Sequence, residues 1–549
     1  MATQYFIGVD VGTASVRAAL VDITGKVLTT ATKEIKIWNP QPNFYQQSST
    51  NIWEAVVYTV KMVCGTQKVD AGSVKGIGFD ATCSLVVADQ DGRPLSVCPK
   101  GEQECDIIMW MDHRAGEEAD FINATKHDIL KYYGGGISLE MEPPKLLWLK
   151  KHLRSQCWEK LGHAFDLCDF VTWRATGSLT RSVCSTVAKW TYTKDTGFDT
   201  DFFKMIGLGE LSENKFCKIG ENVKPQGRPC LDGLCGQAAR ELGLKPGTVV
   251  SVGILDAHSA TIGCLGCKPK GKDVPQLTHR LAMISGTSTC HMLLSEEAIF
   301  VPGVWGPNWS TIIPGMWSAE GGQSAAGKLI DYVIETHAAY QEALAEAEKK
   351  NMHISDYLYE VLKAEAGRLS QSKVSTLTEH LHVWPDFHGN RSPLADHTLT
   401  GMLCGLTLQS DVVSLALLYL ATVQSLACGT RHILSEMQAS GHTPDIIYVC
   451  GGLRKNMLYI QTHADVTGLP VVVPDEKESV LLGSAILAAS AAGLHSSIQE
   501  CMEHMSGPAE ITQPDLTVKE FYDRKFTVFL QMYQDQRKYK SIMAGGKVQ

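Results

Sequence analysis

The chain has 549 residues, 44% of them hydrophobic and 20% charged, with a formal net charge of −9. That length exceeds one ordinary hydrophobic core and implies two large domains or three smaller ones, and the composition is that of a globular protein in water. The mild acidity gives no basic footprint for nucleic acid and no polybasic patch for an anionic membrane.

The N-terminus enters an apolar strand pattern at Tyr5-Phe-Ile without a basic n-region or a small-residue cleavage site, so no signal peptide is read and a cytoplasmic location is expected. Seventeen scattered cysteines, an odd number, fit reduced thiols in that compartment. Tyr5 to Asp10 reads as a strand, with a Gly-Thr turn and a returning strand from Val16 to Asp22. Thr24-Gly25 then turns the chain into Lys26 to Thr30. Val74 to Asp80 reads as a buried strand.

Over Ile107 to Arg114, strand alternation sends Ile107, Met109 and Met111 to one face and Trp110, Asp112 and Arg114 to the other. An aromatic plate beside an ion pair suits stacking on the C–H face of a sugar while bonding its hydroxyls. Further on, the apolar run Val249 to Leu255 ends in Asp256 and opens a helix-like segment. Such a residue serves as a helix cap or, in a cleft, as a general base, and the local pattern fits either. The two roles are compatible, because a helix N-terminus keeps a carboxylate ionised.

The Gly-, Lys- and Pro-rich stretch Gly263 to Gln276 reads as a domain boundary. Within it Cys264 and Cys267 have zinc-knuckle spacing, but no second such pair follows, so they are read as thiols without a metal. Leu281 to Ser285, Gly286-Thr287 and Ser288 to Leu294 then repeat the grammar of the first hairpin about half a chain later. Gly322 to Leu329 nearly spells a Walker A loop. Leu329 occupies the Ser/Thr position and no clear apolar strand enters Gly322, so Lys328 is expected on a helix instead.

Val412 to Cys428 barely reaches spanning length, carries Ser414, Thr422, Gln424 and Ser425, and lacks cationic flanks. It reads as part of a buried helix, Leu415 to Leu434. Ile446 to Cys450 is a buried strand leading into Gly451-Gly452, and Val480 to Ala492 is an apolar helix. A charged tail after Ser506 ends in a helix from about Lys519 to Ile542.

Glycine in a turn between strands lets backbone N–H groups approach an anion, because no Cβ intervenes. One Gly-Thr hairpin is an ordinary turn. Two facing each other can clasp a polyphosphate from both sides, and the glycines after Ile446 to Cys450 permit a third close approach.

In this order the three elements resemble the FGGY family of carbohydrate kinases, of the actin-like ATPase superfamily, from Phe6 to about Gly493. The resemblance implies an α/β fold of two ribonuclease-H-like domains, with ATP and Mg²⁺ in the cleft between them. It divides the chain into an N-terminal domain over 1–265, a C-terminal nucleotide-binding domain over 277–505 and a helical tail over 506–549. The positions it carries over for the nucleotide are Asp10, Gly12, Thr13 and Arg17, then Gly286 and Thr287, then Gly451, Gly452 and Asn456. Asp10 would also hold the metal through water.

The pattern Gly253, Asp256, Ser259-Ala260 matches the family's catalytic base, and Trp110, Asp112 and Arg114 fall in its sugar-binding domain. Thr82, Lys189 and Glu320 match positions of ribulose-kinase members, where the glutamate contacts ketose hydroxyls. Gly389-Asn390-Arg391-Ser392-Pro393 is the family's cleft-lining motif, and Asn390 replaces a glutamate common elsewhere, a departure that fits a pentulose branch.

The expected reaction is therefore phosphorylation of D-ribulose at C5, with L-ribulose, ribitol and D-xylulose as alternatives. Enzymes of this kind often dimerise. An actin-like nucleotide-dependent binding protein would keep both phosphate loops without needing Trp110, Asp112, Lys189 and Glu320 together. A nicotinamide-dependent dehydrogenase is excluded, since the first strand leads into a hairpin and not into a Gly-X-Gly-X-X-Gly helix.

Overall fold

A computed structural model describes residues 4–100, 104–271 and 273–545. The first three residues of the N-terminal reading, Lys272 within the expected boundary and the last four residues of the expected tail lie outside the described residues.

Strands Tyr5–Val11, Ser15–Asp22 and Val27–Glu34 form an antiparallel meander. Its second turn is set by one carboxylate: Asp22 accepts the backbone N–H groups of Thr24 and Lys26 and the Thr24 hydroxyl, while Gly25 takes φ 84°. Val74–Ala81 then pairs parallel to Tyr5–Val11, and Val249–Val250 and Ile254–Leu255 pair parallel to Val74–Ala81.

The second half repeats this plan. Arg280–Ser285, Thr289–Ser295 and Trp317–Gln323 make the meander, and Ile446–Cys450 and Val471–Pro474 extend it in parallel. The two ribonuclease-H-like sheets that the family resemblance implies are therefore present. A smaller four-stranded sheet, built from Gln46–Gln47, Ile107–Ile108, Leu85–Ala88 and His163–Asp166, is inserted in the first half and has a core of its own.

Helix Val412–Ala439 is capped by Asp411, whose side chain accepts the N–H of Ser414. By length and composition it could cross a bilayer, yet 72% of its most apolar window is buried, and it forms the spine of the second core.

The structure joins the expected segments in two ways that the sequence did not show. Helix Ser479–Ala491, from the second half, lies against strands Tyr5–Val11 and Val74–Ala81 of the first sheet and against helix Asp256–Leu265. Backbone meets backbone there. A Cβ on Gly8, Gly78 or Gly483 would run into the carbonyl oxygens of Leu481, Ser484 and Ser259 respectively. The tail also begins as a strand: Pro508–Thr512 joins the second sheet beside Val471–Pro474 before helix Lys519–Met543 packs its Tyr522, Phe529 and Met532 onto Trp384. The tail is thus part of the second domain, because its apolar face has a core to cover.

Candidate active site

Parallel strands deliver their C-terminal ends to one edge of a sheet, where ligands of α/β proteins bind. In the first sheet that edge carries three carboxyl groups. Asp10 sits opposite Asp80 in the parallel register, Ile254 is the next partner of Asp80, and Asp256 follows two residues later as the first residue of its helix.

Asp256 Oδ1 accepts the N–H of Ala257 at 2.7 Å, and its other oxygen has no protein donor among the described residues. Burial, then the charge of Asp10, pushes its pKa up to about 7. The expectation that the helix N-terminus would keep this carboxyl fully ionised is corrected: desolvation and the like charge outweigh the favourable helix end. Burial, then the charge of Asp10, raises Asp80 well above the usual carboxylate range, and its carboxyl accepts the Ser484 hydroxyl at 2.5 Å.

The first Gly-Thr turn is fixed from several sides. Gly12 N–H donates to the Ser15 carbonyl at 3.0 Å. Thr13 accepts the Trp110 indole N–H on its hydroxyl at 3.1 Å and the Gln47 amide on its carbonyl at 2.9 Å. Arg17 donates to Asp10 Oδ2 at 2.9 Å and, from its Nη1, to Glu478 just before helix Ser479–Ala491, also at 2.9 Å.

The second turn is backed by the near-Walker segment. Ala326 and Lys328 donate their N–H groups to the Thr287 carbonyl and Gly327 donates to that of Gly286. Lys328 is on helix Gly327–Glu335, as expected, but Gly322 does lie on a strand, Trp317–Gln323. The sequence hid that strand because it carries Gly, Ser and Glu in place of an apolar run. In the third loop Gly451 takes φ 88°, and a Cβ there would meet the Ser285 carbonyl at 2.5 Å, so the loop lies directly on the second turn. Asn456 caps helix Met457–Thr467 through the Tyr459 N–H and donates its amide to the Tyr419 hydroxyl at 2.7 Å.

The segment read as a strand over 107–114 ends at Ile108. The chain then turns, and the expected shared face of Trp110, Asp112 and Arg114 does not form. Asp112 accepts two bonds from the Arg114 guanidinium and the N–H groups of Tyr45 and Arg114, and both side chains are fully buried. Arg114 lies over Phe44 and Trp148, and its Nη1 donates to the Val97 carbonyl. The pair is the scaffold of the turn that aims Trp110 at Thr13. Thr82 follows Asp80 closely, with its N–H on the Val11 carbonyl and its hydroxyl 3.5 Å from that of Ser84.

Lys189 and Glu320 come together from opposite halves of the chain. Lys189 ends helix Val183–Lys189, is buried, and holds its ammonium 4.4 Å from the centre of the Trp305 ring. Burial pulls its pKa down, but Cys83, Glu320 and Glu140 outweigh that and raise it. Burial holds the Cys83 thiol protonated, so the two glutamates are the anions that act. Glu320 is pushed up by burial, with Lys189 and Arg391 opposing, and its Oε2 has no partner among the described residues.

Two charged residues missed by the pattern reading complete the group. Glu140, before helix Glu142–His152, pairs with Arg391 at 2.8 Å. Burial raises its carboxyl, but Arg391 and then Lys189 outweigh it and hold it below the usual range. Asp80 could have been found, since it ends an apolar strand as Asp10 and Asp256 do. Glu140 had no local signal, because its partner lies 251 residues away.

Sequence models of the FGGY family of carbohydrate kinases match the chain over both domains, the N-terminal one over residues 5–263 and the C-terminal one over 281–492. An FGGY carbohydrate kinase domain-containing protein of Xenopus laevis is 52% identical over 545 residues, 98% of each chain. A D-ribulokinase of Saccharomyces cerevisiae is 39% identical over 514 residues, 89% of this chain and 72% of the yeast protein. Among solved structures, a xylulose kinase from Rhodospirillum rubrum superposes with a TM-score of 0.78 at 19% identity, over 98% of this chain and 99% of the other.

Proposed function

The chain belongs to the FGGY family of carbohydrate kinases, and from that premise we propose that it transfers the γ-phosphoryl group of ATP to the terminal hydroxyl of a pentulose, D-ribulose foremost. The single observation that carries the substrate class is the pair Lys189 and Glu320. A buried ammonium and a buried carboxyl group, whose charges act on each other without a hydrogen bond between them, are a donor and an acceptor for a polyhydroxylated ligand. The similarity to the yeast D-ribulokinase supports ribulose within that class.

The chemistry follows from the carboxyl edge. The free oxygen of Asp256 accepts the proton of the attacking hydroxyl as the new P–O bond forms, and its pKa near 7 makes it a competent acceptor at neutral pH. The two Gly-Thr turns, one from each half, flank the phosphates, and Gly451-Gly452 lies against the second turn on the nucleotide side.

No group of three or more His, Cys, Asp or Glu side chains among the described residues would cage a metal ion by itself. Mg²⁺ usually needs only one or two carboxylates besides the phosphates, and Asp10, a hard oxygen donor at that sheet edge, suits that set through water. Once bound with ATP, Mg²⁺ would offset charge on the transferred phosphoryl group.

The test is a coupled ADP-release screen over pentuloses, polyols and gluconate. D-ribulose is expected to give the highest kcat/KM, and sugar-dependent turnover of none of the pentuloses would sink the reading. With the best sugar, kcat/KM should rise about tenfold per pH unit below pH 7 and level off above it, since the base acts only when ionised. A flat profile across that range, as the ordinary carboxylate pKa of ~4 would give, would count against Asp256 as the titrating base.

A further inference from the structure

Four charged side chains meet where the two halves of the chain face each other. Glu140 and Lys189 come from the first half, Arg391 and Glu320 from the second. Two ion pairs across the cleft are available to such a quartet. Only Glu140 with Arg391 is made, at 2.8 Å, while Lys189 and Glu320 share no hydrogen bond among the described residues.

The made pair is braced at both ends. The backbone carbonyl of Glu140 accepts the buried ammonium of Lys145 at 3.4 Å. Arg391 lies flat on the strand that carries Glu320, so close that a Cβ on Gly322 would meet its Cδ at 2.9 Å, and its guanidinium is 5.7 Å from the centre of the Trp305 ring. Trp305 is the same ring that carries Lys189, and its backbone bridges to Tyr133 of the first half. A second cross-cleft contact stands on the Arg391 loop, where His388 stacks on His113 with ring centres 6.4 Å apart.

We infer that Glu140 is a positioning residue: its ion pair with Arg391 latches the two domains in the arrangement that sets Lys189 opposite Glu320. The charges of Glu140 and Arg391 are used on each other, and those of Lys189 and Glu320 are left for the ligand. A broken latch lets the halves separate, spreads the sugar contacts and admits water to the phosphates. The kinetic consequence rests on the pentulose-kinase reading; the latch itself does not.

Glu140→Gln, Arg391→Gln and the double variant test it, beside wild type, in two assays. In small-angle scattering without ligand, each single variant is expected to show a larger radius of gyration than wild type at an unchanged melting temperature. In steady-state assays each single variant should raise the pentulose KM by about tenfold, more than it raises the ATP KM, and the double should be no worse than the worse single.

A raised sugar KM with unchanged scattering would make Glu140 a direct sugar ligand and overturn the latch. Losses that add in the double variant, or sugar and ATP KM rising together with a lowered melting temperature, would overturn it too. If wild type phosphorylates no pentulose, the substrate reading fails, and the scattering comparison decides the latch alone.

Discussion

Asp256→Asn is expected to lower kcat for sugar phosphorylation by on the order of 10³-fold while both KM values stay near wild type. The amide oxygen of Asn can still accept the Ala257 N–H, so the local backbone is retained. What is lost is the second carboxylate oxygen, which has no protein donor among the described residues and can take a proton. The substitution also removes a buried negative charge from beside Asp10, which repels it. The folded protein should therefore be at least as resistant to heat as wild type, which separates a chemical defect from an unfolding one. A variant with full kcat would show that another group accepts the proton.

Lys189→Met should raise the pentulose KM by about 100-fold, in the lower part of the ~2–5 kcal/mol that removing one member of a buried charge pair costs. Methionine keeps the unbranched stem against Trp305 and deletes only the ammonium. Glu140 still has Arg391, but Glu320 then lacks its foremost cation. On the proposed reading ATP binds at the Gly-Thr turns and not at Lys189, so its KM should move by less than about twofold, and an equal rise for both substrates would show that Lys189 holds the fold and not the sugar.

Much of the fold could be read from the sequence because its signals are local. The two strand–Gly-Thr–strand units, the strand leading into Gly451 and the buried helix after Asp411 each follow from a short contiguous run of residues. Where partners are distant in the chain, reading failed. Alternation over 107–114 predicted a strand, but Asp112 is drawn back onto the N–H of Tyr45 and onto Arg114, and four hydrogen bonds to one carboxylate override a period-two pattern. Asp256 was legible as a residue at a strand end, while its elevated pKa was not, since that depends on burial in the folded chain and then on Asp10 in the first strand. Glu140 is the sharpest case. Nothing in its neighbourhood, Leu139-Glu140-Met141, distinguishes it from a surface acid until Arg391 is placed beside it.

Helix Ser479–Ala491 has a bearing on how the chain is made. The first sheet is complete in sequence once Leu255 has left the ribosome, but the helix that covers its strands Tyr5–Val11 and Val74–Ala81 emerges only with residue 491. At ~5–20 residues per second the gap is roughly 10–50 s, during which an apolar sheet face lies open to solvent. The N-terminal half is therefore expected to stay incompletely packed during synthesis, and a chain cut short before residue 479 to leave that sheet face uncovered. The last piece of the first domain is supplied by the second.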